Sequence, residues 1–414
     1  MSIIVNQAEN RMTDLTQSGS GKSLRSMPLP LMAALILSAI LCLALASMTY
    51  GTNDIAFFQS YVAKAAHDGT TALYRSGASL VAYHPDYVEP MAHPPAMLTL
   101  WTGIQYVENL SGIPFRFWFR LLTTIAFLAS AVFVWKLATS KAAIYYALCP
   151  AAIMIAGFHG NSDPLIVALL LASVYAAERK GRAALSGVLY GMALSIKVWP
   201  LFLVLAFGLG LKTWRDRLYF GAAALASVTT LAFPHILAGP WLIISTVLGY
   251  RSRILCDWGL SRWPLYVRIG VPVAFTAIAI AVVYLRRRHS SLSCMAASSI
   301  IIFLILTPGF GVQYLAWILP FCFLFGGRVT SAVYAASSAF VAVIYTHLSD
   351  GIPWYFADAL RQHSGSKIVM FFAGLCWIVL AISAAASFRS GGVALEDRKQ
   401  AAGTRHRAFL AETS

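Results

Sequence analysis

Charge is what this sequence lacks most. Only 11% of its 414 residues are Asp, Glu, Lys or Arg, less than half the roughly 25% of a soluble domain. Acids are the scarcer sign, 16 against 31 Lys plus Arg. A mean hydropathy of +0.70 excludes an ordinary soluble globule. Strict apolar–polar alternation is also missing. IIIFLIL (300–306) is apolar throughout, whereas barrel strands alternate between lipid and lumen. The cysteines form no framework: Cys42, Cys149, Cys294, Cys322 and Cys376 lie inside apolar runs, and Cys256 sits in a polar loop without an evident partner. No disulfide or thiolate metal site is expected. No two histidines show the i, i+4 spacing of helical zinc sites, so neither metal nor cofactor is expected. An internal duplication of the transporter type is absent too.

What is present is apolar and segmented. Hydrophobic stretches recur from Leu29 to Phe388. In lipid, backbone amides must be satisfied within a helix or a closed barrel. The expected fold is therefore all-α, a polytopic transmembrane bundle of about 12–13 segments. They are 29–50, 94–110, 118–138, 140–157, 163–178, 183–196, 198–211, 218–236, 266–285, 292–307, 311–327, 330–347 and 367–388. Three parts follow: a polar, disordered cytoplasmic tail (1–28), the membrane domain (29–388) and a cytoplasmic C-terminal tail (389–414). Ala44-Leu45-Ala46 resembles a signal-peptidase site, but the spanning length of the run favours an uncleaved anchor.

The net charge of +15 reads as topology rather than nucleic-acid binding, because basic residues cluster at segment ends. Lys22 and Arg25, ERKGR (178–182), KTWRDR (212–217), RRRH (286–289), Arg328 and the tail after Arg389 all mark a cytoplasmic side. Tails on one side require an even number of crossings, so one segment before residue 178 does not cross or is divided differently. The candidates are 94–110, which carries Gln105 and Glu108, and 140–157.

Three longer loops then face outward: 51–93, 237–264 and 348–366. In the first, Ile55, Phe58, Val62, Ala65 and Ala66 recur at helical spacing, as in an amphipathic helix lying on a membrane surface. Asp54 follows the first apolar segment directly. It is either a helix cap or a general base at the membrane–water boundary. In HGNSDP (159–164), Asp163-Pro164 reads as a helix start; the alternative is sugar binding by Asn161 and Asp163. Lys197, between Ile196 and Val198, either snorkels or meets an anion such as a lipid phosphate. Arg251, Arg253 and Arg262 lie outside against the positive-inside trend. They are either solvated or hold an anionic headgroup.

TNDIAFFQSYV (52–62), HPPAM (93–97), FHGNSDP (158–164), SIKVWP (195–200) and TPGFGVQY (307–314) occur in an order that resembles the GT-C superfamily of integral-membrane glycosyltransferases. The similarity is greatest to bacterial polyprenol-phosphate-mannose-dependent mannosyltransferases and covers roughly 29–327. The resemblance implies an inverting transferase in a bacterial inner membrane, acting at its extracytoplasmic face. It would move a hexose, with mannose favoured, from a polyprenyl-phosphate donor to a glycan or glycolipid hydroxyl. It implies Asp54 as general base, with Lys197, Arg251, Arg253 and Arg262 at the donor phosphate. Asn53, His93, His159, Asn161, Asp163 and Gln313 become candidates for sugar or acceptor. Many relatives carry two adjacent acids where this chain has Asn53-Asp54, which argues against a metal-bridged site. The rival reading is a transporter or flippase for a lipid-linked glycan; a third is a non-catalytic membrane scaffold.

Overall fold

The computed structural model describes residues 27–80, 84–236, 239–249, 258–260, 264–325, 327–358 and 366–385. The described chain is mostly helical. It opens with α1 (Leu29–Met48), β1 (Gly51–Thr52), α2 (Asn53–Asp68), α3 (Thr70–Ser76) and the strands β2 (Ala78–Leu80) and β3 (His84–Glu89). Next come α4 (Pro95–Ser111), α5 (Phe115–Leu137), α6 (Ser140–Ala147) and α7 (Pro150–Met154), which runs into a π turn, Ile155–His159. The middle holds α8 (Asp163–Glu178), α9 (Ala183–Ile196), a 3-10 turn leading into α10 (Val204–Gly210), α11 (Trp214–Ile236) and α12 (Pro240–Gly249). The last part has α13 (Pro264–Arg287), α14 (Leu292–Leu306), α15 (Leu315–Ile318) between two 3-10 turns, α16 (Gly327–Leu348), β4 (Phe356–Ala357) and α17 (Lys367–Ala385).

Helix α1 shows why this assembly belongs in a membrane. Its sequence is apolar all round, yet only the stripe Leu31, Ala34, Ser38, Cys42, Ala46 turns inward. Leu29, Met32, Ile36, Leu37, Ile40 and Leu41 stay exposed, a face that suits lipid. Together with α5, α13, α16 and α17 it makes five helices long and apolar enough to cross, or up to seven if the bent pairs α6–α7 and α11–α12 each count as one span. The protein is thus a multi-pass membrane protein. The other apolar helices are shorter: α8 has 16 residues, about 24 Å, against a hydrocarbon core of about 30 Å.

Helix α4 starts beside His93, which packs on Phe58 and Trp101. It ends where Ser111 accepts from Trp118 Nε1 at the start of α5. Met97, Leu98 and Trp101 of α4 share one cluster with Phe115 and Phe119 of α5. At 17 residues α4 is not among the helices long and apolar enough to cross, and α6–α7, bent by 54°, is a broken span or a re-entrant loop.

Close backbone contact fixes the middle of the bundle. Gly187 and Gly191, four apart on α9, face α11. A Cβ on them would lie 2.2 Å from the Phe220 carbonyl oxygen and 2.5 Å from that of Ala224. Small residues at this spacing let membrane helices approach closely.

Described parts of the three longer loops touch one another. β1 pairs in parallel with β4, Gly51 opposite Phe356, and Thr246 of α12 donates to the Tyr74 carbonyl of α3. The basic segment 178–182 lies away from them, where Arg179 donates to the Leu137 carbonyl and Glu178 accepts from Ser293 at the start of α14. The amphipathic reading of α2 needs correction. Ile55, Phe58 and Val62 are buried, and Phe58 stacks on Trp101 at 4.3 Å, so protein rather than a membrane surface takes that face. Ala66 is exposed.

Candidate active site

Asp54 stands in the first turn of α2, but it caps nothing. The N-cap residue is Thr52, and no side chain makes a capping bond there. Thr52 instead donates its Oγ1 proton to the His159 carbonyl at 2.7 Å. The Asp54 carboxylate reaches across to the π turn. Its Oδ2 accepts from Asn161 Nδ2 at 2.5 Å and lies 3.2 Å from His159 Nε2. Among the described residues Oδ1 has no hydrogen-bond partner. The side chain is 28% exposed and borders a cavity of about 50 Å³ shared with Asn53, His159, Gln313 and Tyr345. Burial pushes the Asp54 pKa up. The His159 hydrogen bond and charge, the Asn161 bond and the Lys197 charge more than offset that and hold it below the ordinary carboxylate value. The group is an anion with one oxygen anchored and the other open.

His159 ends the π turn, a local widening that recurs at functional sites. Carbonyls of the turn bond to side chains: Ala156 accepts from Thr123 Oγ1 at 2.7 Å, and His159 from Thr52. The next residue, Gly160, has φ +74, and a Cβ there would sit 2.5 Å from Ile55 Cδ1. Only glycine fits. His159 Nδ1 lies 2.5 Å from the Tyr345 hydroxyl. A carboxylate can only accept, so the network assigns a proton to Nε2, and in neutral His159 the Nδ1 atom accepts from Tyr345.

Lys197 sits in extended backbone just after α9. Its Nζ lies 3.1 Å from Asp163 Oδ2, 3.4 Å from Asn161 Oδ1 and 5.6 Å above the Tyr314 ring. The anion that its position demands is thus supplied by the chain itself. Asp163 has a fully buried side chain, and its Oδ1 accepts from Trp317 Nε1 at 2.8 Å. The helix-start reading of Asp163 holds for the backbone, with Pro164 in the first turn of α8. The carboxylate is turned inward with both oxygens engaged, so it has none to spare for a sugar hydroxyl. Asn161 links the halves, donating to Asp54 while its Oδ1 faces Lys197. A continuous polar chain results: Tyr345, His159, Asp54, Asn161, Lys197, Asp163, Trp317.

The remaining candidates divide. Asn53 is buried at the cavity wall, and Gln313 lines the opposite side. His93 packs edge-on against both Phe58 and Trp101, and its Nδ1 is buried without a partner among the described residues. Burial, aided by the Lys197 charge, depresses its pKa to about 3 against smaller upward pulls from Asp54 and the Ile196 carbonyl. It is a neutral imidazole and a weak base. Arg251, Arg253 and Arg262 lie outside the described residues. Among the described residues no three His, Cys, Asp or Glu side chains are grouped as metal ligands would be. Sequence reasoning missed Tyr345 and Trp317, aromatics in apolar helices with no local signal beyond their polar atoms. Compared with known proteins, the chain matches no family model and no curated protein.

Proposed function

We propose that the protein is an integral-membrane glycosyltransferase of the GT-C kind, with Asp54 as general base. The observation that carries the reading is the divided carboxylate at the wall of a cavity: Oδ2 is held by His159 and Asn161, and among the described residues Oδ1 has no hydrogen-bond partner. A base needs an ionised oxygen within reach of the acceptor proton, and its second oxygen fixes the approach. In the reaction, Oδ1 takes the acceptor hydroxyl proton as the acceptor oxygen attacks the anomeric carbon. The bond from that carbon to the phosphate oxygen breaks, and its electron pair leaves with the polyprenyl phosphate. The leaving phosphate needs cations rather than an acid. Lys197, 17% exposed and still holding Asp163, and Arg251, Arg253 and Arg262 are the residues we assign to it. Asn53 and Gln313 border the same cavity and are assigned to the acceptor. The cavity has room for a few waters rather than a whole hexose, so sugar binding displaces side chains at its mouth. By the positive-inside rule this end faces away from the cytoplasm, at a bacterial inner membrane.

The test is purified protein in nanodiscs with a panel of polyprenyl-phosphate hexoses and glycan acceptors. Release of polyprenyl phosphate coupled to acceptor glycosylation is expected. Movement of intact lipid-linked glycan across a vesicle bilayer, without release, would instead establish the transporter.

A further inference from the structure

Arg120 is the sixth residue of α5 and is fully buried. A charged residue inside an apolar helix is costly and usually marks a function. Among the described residues no acid meets it: every bond goes to a backbone carbonyl or a hydroxyl. Nε donates to Arg116 O at 3.0 Å. Nη2 donates to Ala46 O at 2.8 Å and Thr49 O at 2.6 Å. Nη1 donates to Thr49 Oγ1 at 2.8 Å, with Leu45 O at 3.4 Å and Gly157 O at 3.5 Å. Part of this is ordinary capping. The carbonyls of Leu45 and Ala46 belong to the last turn of α1, an end that favours a cation, although the Leu45 carbonyl already accepts from Thr49 N and Oγ1. A lysine could serve that purpose as a point charge.

The planar fork does more. It binds α1, its own helix and the π turn together. Two of these segments lead directly into the site: Thr49 through β1 to Asp54, and Gly157 to His159. The gap between them is tight. A Cβ on Gly51 would lie 2.7 Å from the Phe158 carbonyl oxygen and 3.3 Å from Arg120 Nη1. Thr52, one residue further on, donates to the His159 carbonyl. We infer that Arg120 is a positioning residue, setting the end of α1 against the π turn in the register that brings the Asp54 carboxylate to His159 and Asn161. The inference goes beyond the transferase reading and does not depend on it.

The test therefore uses no substrate. The full-length protein, labelled with ¹³C at the Asp side-chain carboxyls, is titrated by NMR in nanodiscs. The Asp54 signal is identified by its loss in Asp54→Asn. In the wild type it should titrate below the ordinary carboxylate range. In Arg120→Lys, shown folded by its melting curve, the charge is kept but the fork is lost. The bonds to Asp54 Oδ2 should lengthen, burial should dominate, and the titration should move up by about one pH unit or more. Thr49→Val, which deletes a single Arg120 contact, should move it the same way by less, and decides the matter if Arg120→Lys does not fold. An Asp54 titration unmoved in folded Arg120→Lys, or in Thr49→Val where that is the deciding variant, would reduce Arg120 to a cap of α1 and overturn the inference.

Discussion

Removing Lys197 should damage the fold before it reveals anything about a ligand. Its Nζ is the charged partner of the fully buried Asp163. In Lys197→Ala that carboxylate keeps only neutral donors, with Trp317 Nε1 at 2.8 Å the nearest. Breaking a buried pair by deleting one member costs about 3–5 kcal/mol, whereas replacing both with apolar groups of similar size is often near neutral. Lys197→Met should therefore lower stability by about 3 kcal/mol or more, and Lys197→Met with Asp163→Leu should recover most of it. The Trp317 N–H left unpaired in the double variant costs about 1–3 kcal/mol, so recovery is incomplete. The assay is denaturant or thermal unfolding in one detergent, run as a double-mutant cycle with Asp163→Leu alone. A coupling of about 2 kcal/mol or more is expected. Coupling near zero would refute the reasoning, because the pair would then not be desolvated.

Three further outcomes follow from the same structure. His93 should make the protein acid-sensitive: its folded pKa of about 3 lies below an unfolded value of about 6.5. The unfolded chain binds the extra proton, so stability falls as pH drops from about 6.5 toward 3. His93→Phe should flatten that part of the melting-temperature profile, and an unchanged profile would contradict the burial. Gly191→Leu should destabilise by about 1–3 kcal/mol through overpacking against Ala224, while Gly208→Ala, where a Cβ meets nothing within 4 Å, should stabilise by about 0.5–1 kcal/mol; melting curves of the two separate contact from propensity. Single cysteines at Ser79, Ser252 and Ser364 should react with an impermeant thiol reagent in intact cells, and protection of two of them in folded protein would reverse the assigned orientation.

The apolar segmentation was legible because lipid imposes it. The ranges read for α1, α8, α9 and α14 differ from the observed helices by about two residues or fewer at either end. Pairwise contacts were not legible. Asp54 and His159 are 105 residues apart, and Tyr345 lies 186 beyond His159; no local pattern encodes such partners. Local rules also misled. Asp163-Pro164 has the form of a cap and does open a helix, but the N-cap residue is Ser162, and burial by Trp317 and Lys197 decides where the Asp163 carboxylate points. The apolar face of α2 fitted a membrane surface equally well as the inside of an aromatic cluster, and periodicity alone cannot tell these apart. Arg120 carried the one signal that sequence offered and we did not use: an arginine inside an apolar run.

Transfer by Asp54→Asn, beside wild type, tests the central claim most directly. Asparagine keeps the shape and can still accept from Asn161 Nδ2, and no capping bond is lost because Asp54 makes none. The variant should stay folded and bind the polyprenyl-phosphate sugar as wild type does. Transfer to the acceptor should fall by about 10²- to 10⁴-fold. Neither Asp163, buried and ion-paired, nor His93, with its pKa of about 3, can stand in as base. Single-turnover measurement in nanodiscs, with donor affinity determined on the same samples, gives the answer. Slow transfer with unchanged donor affinity is the predicted result; near-normal transfer by folded Asp54→Asn would contradict the account.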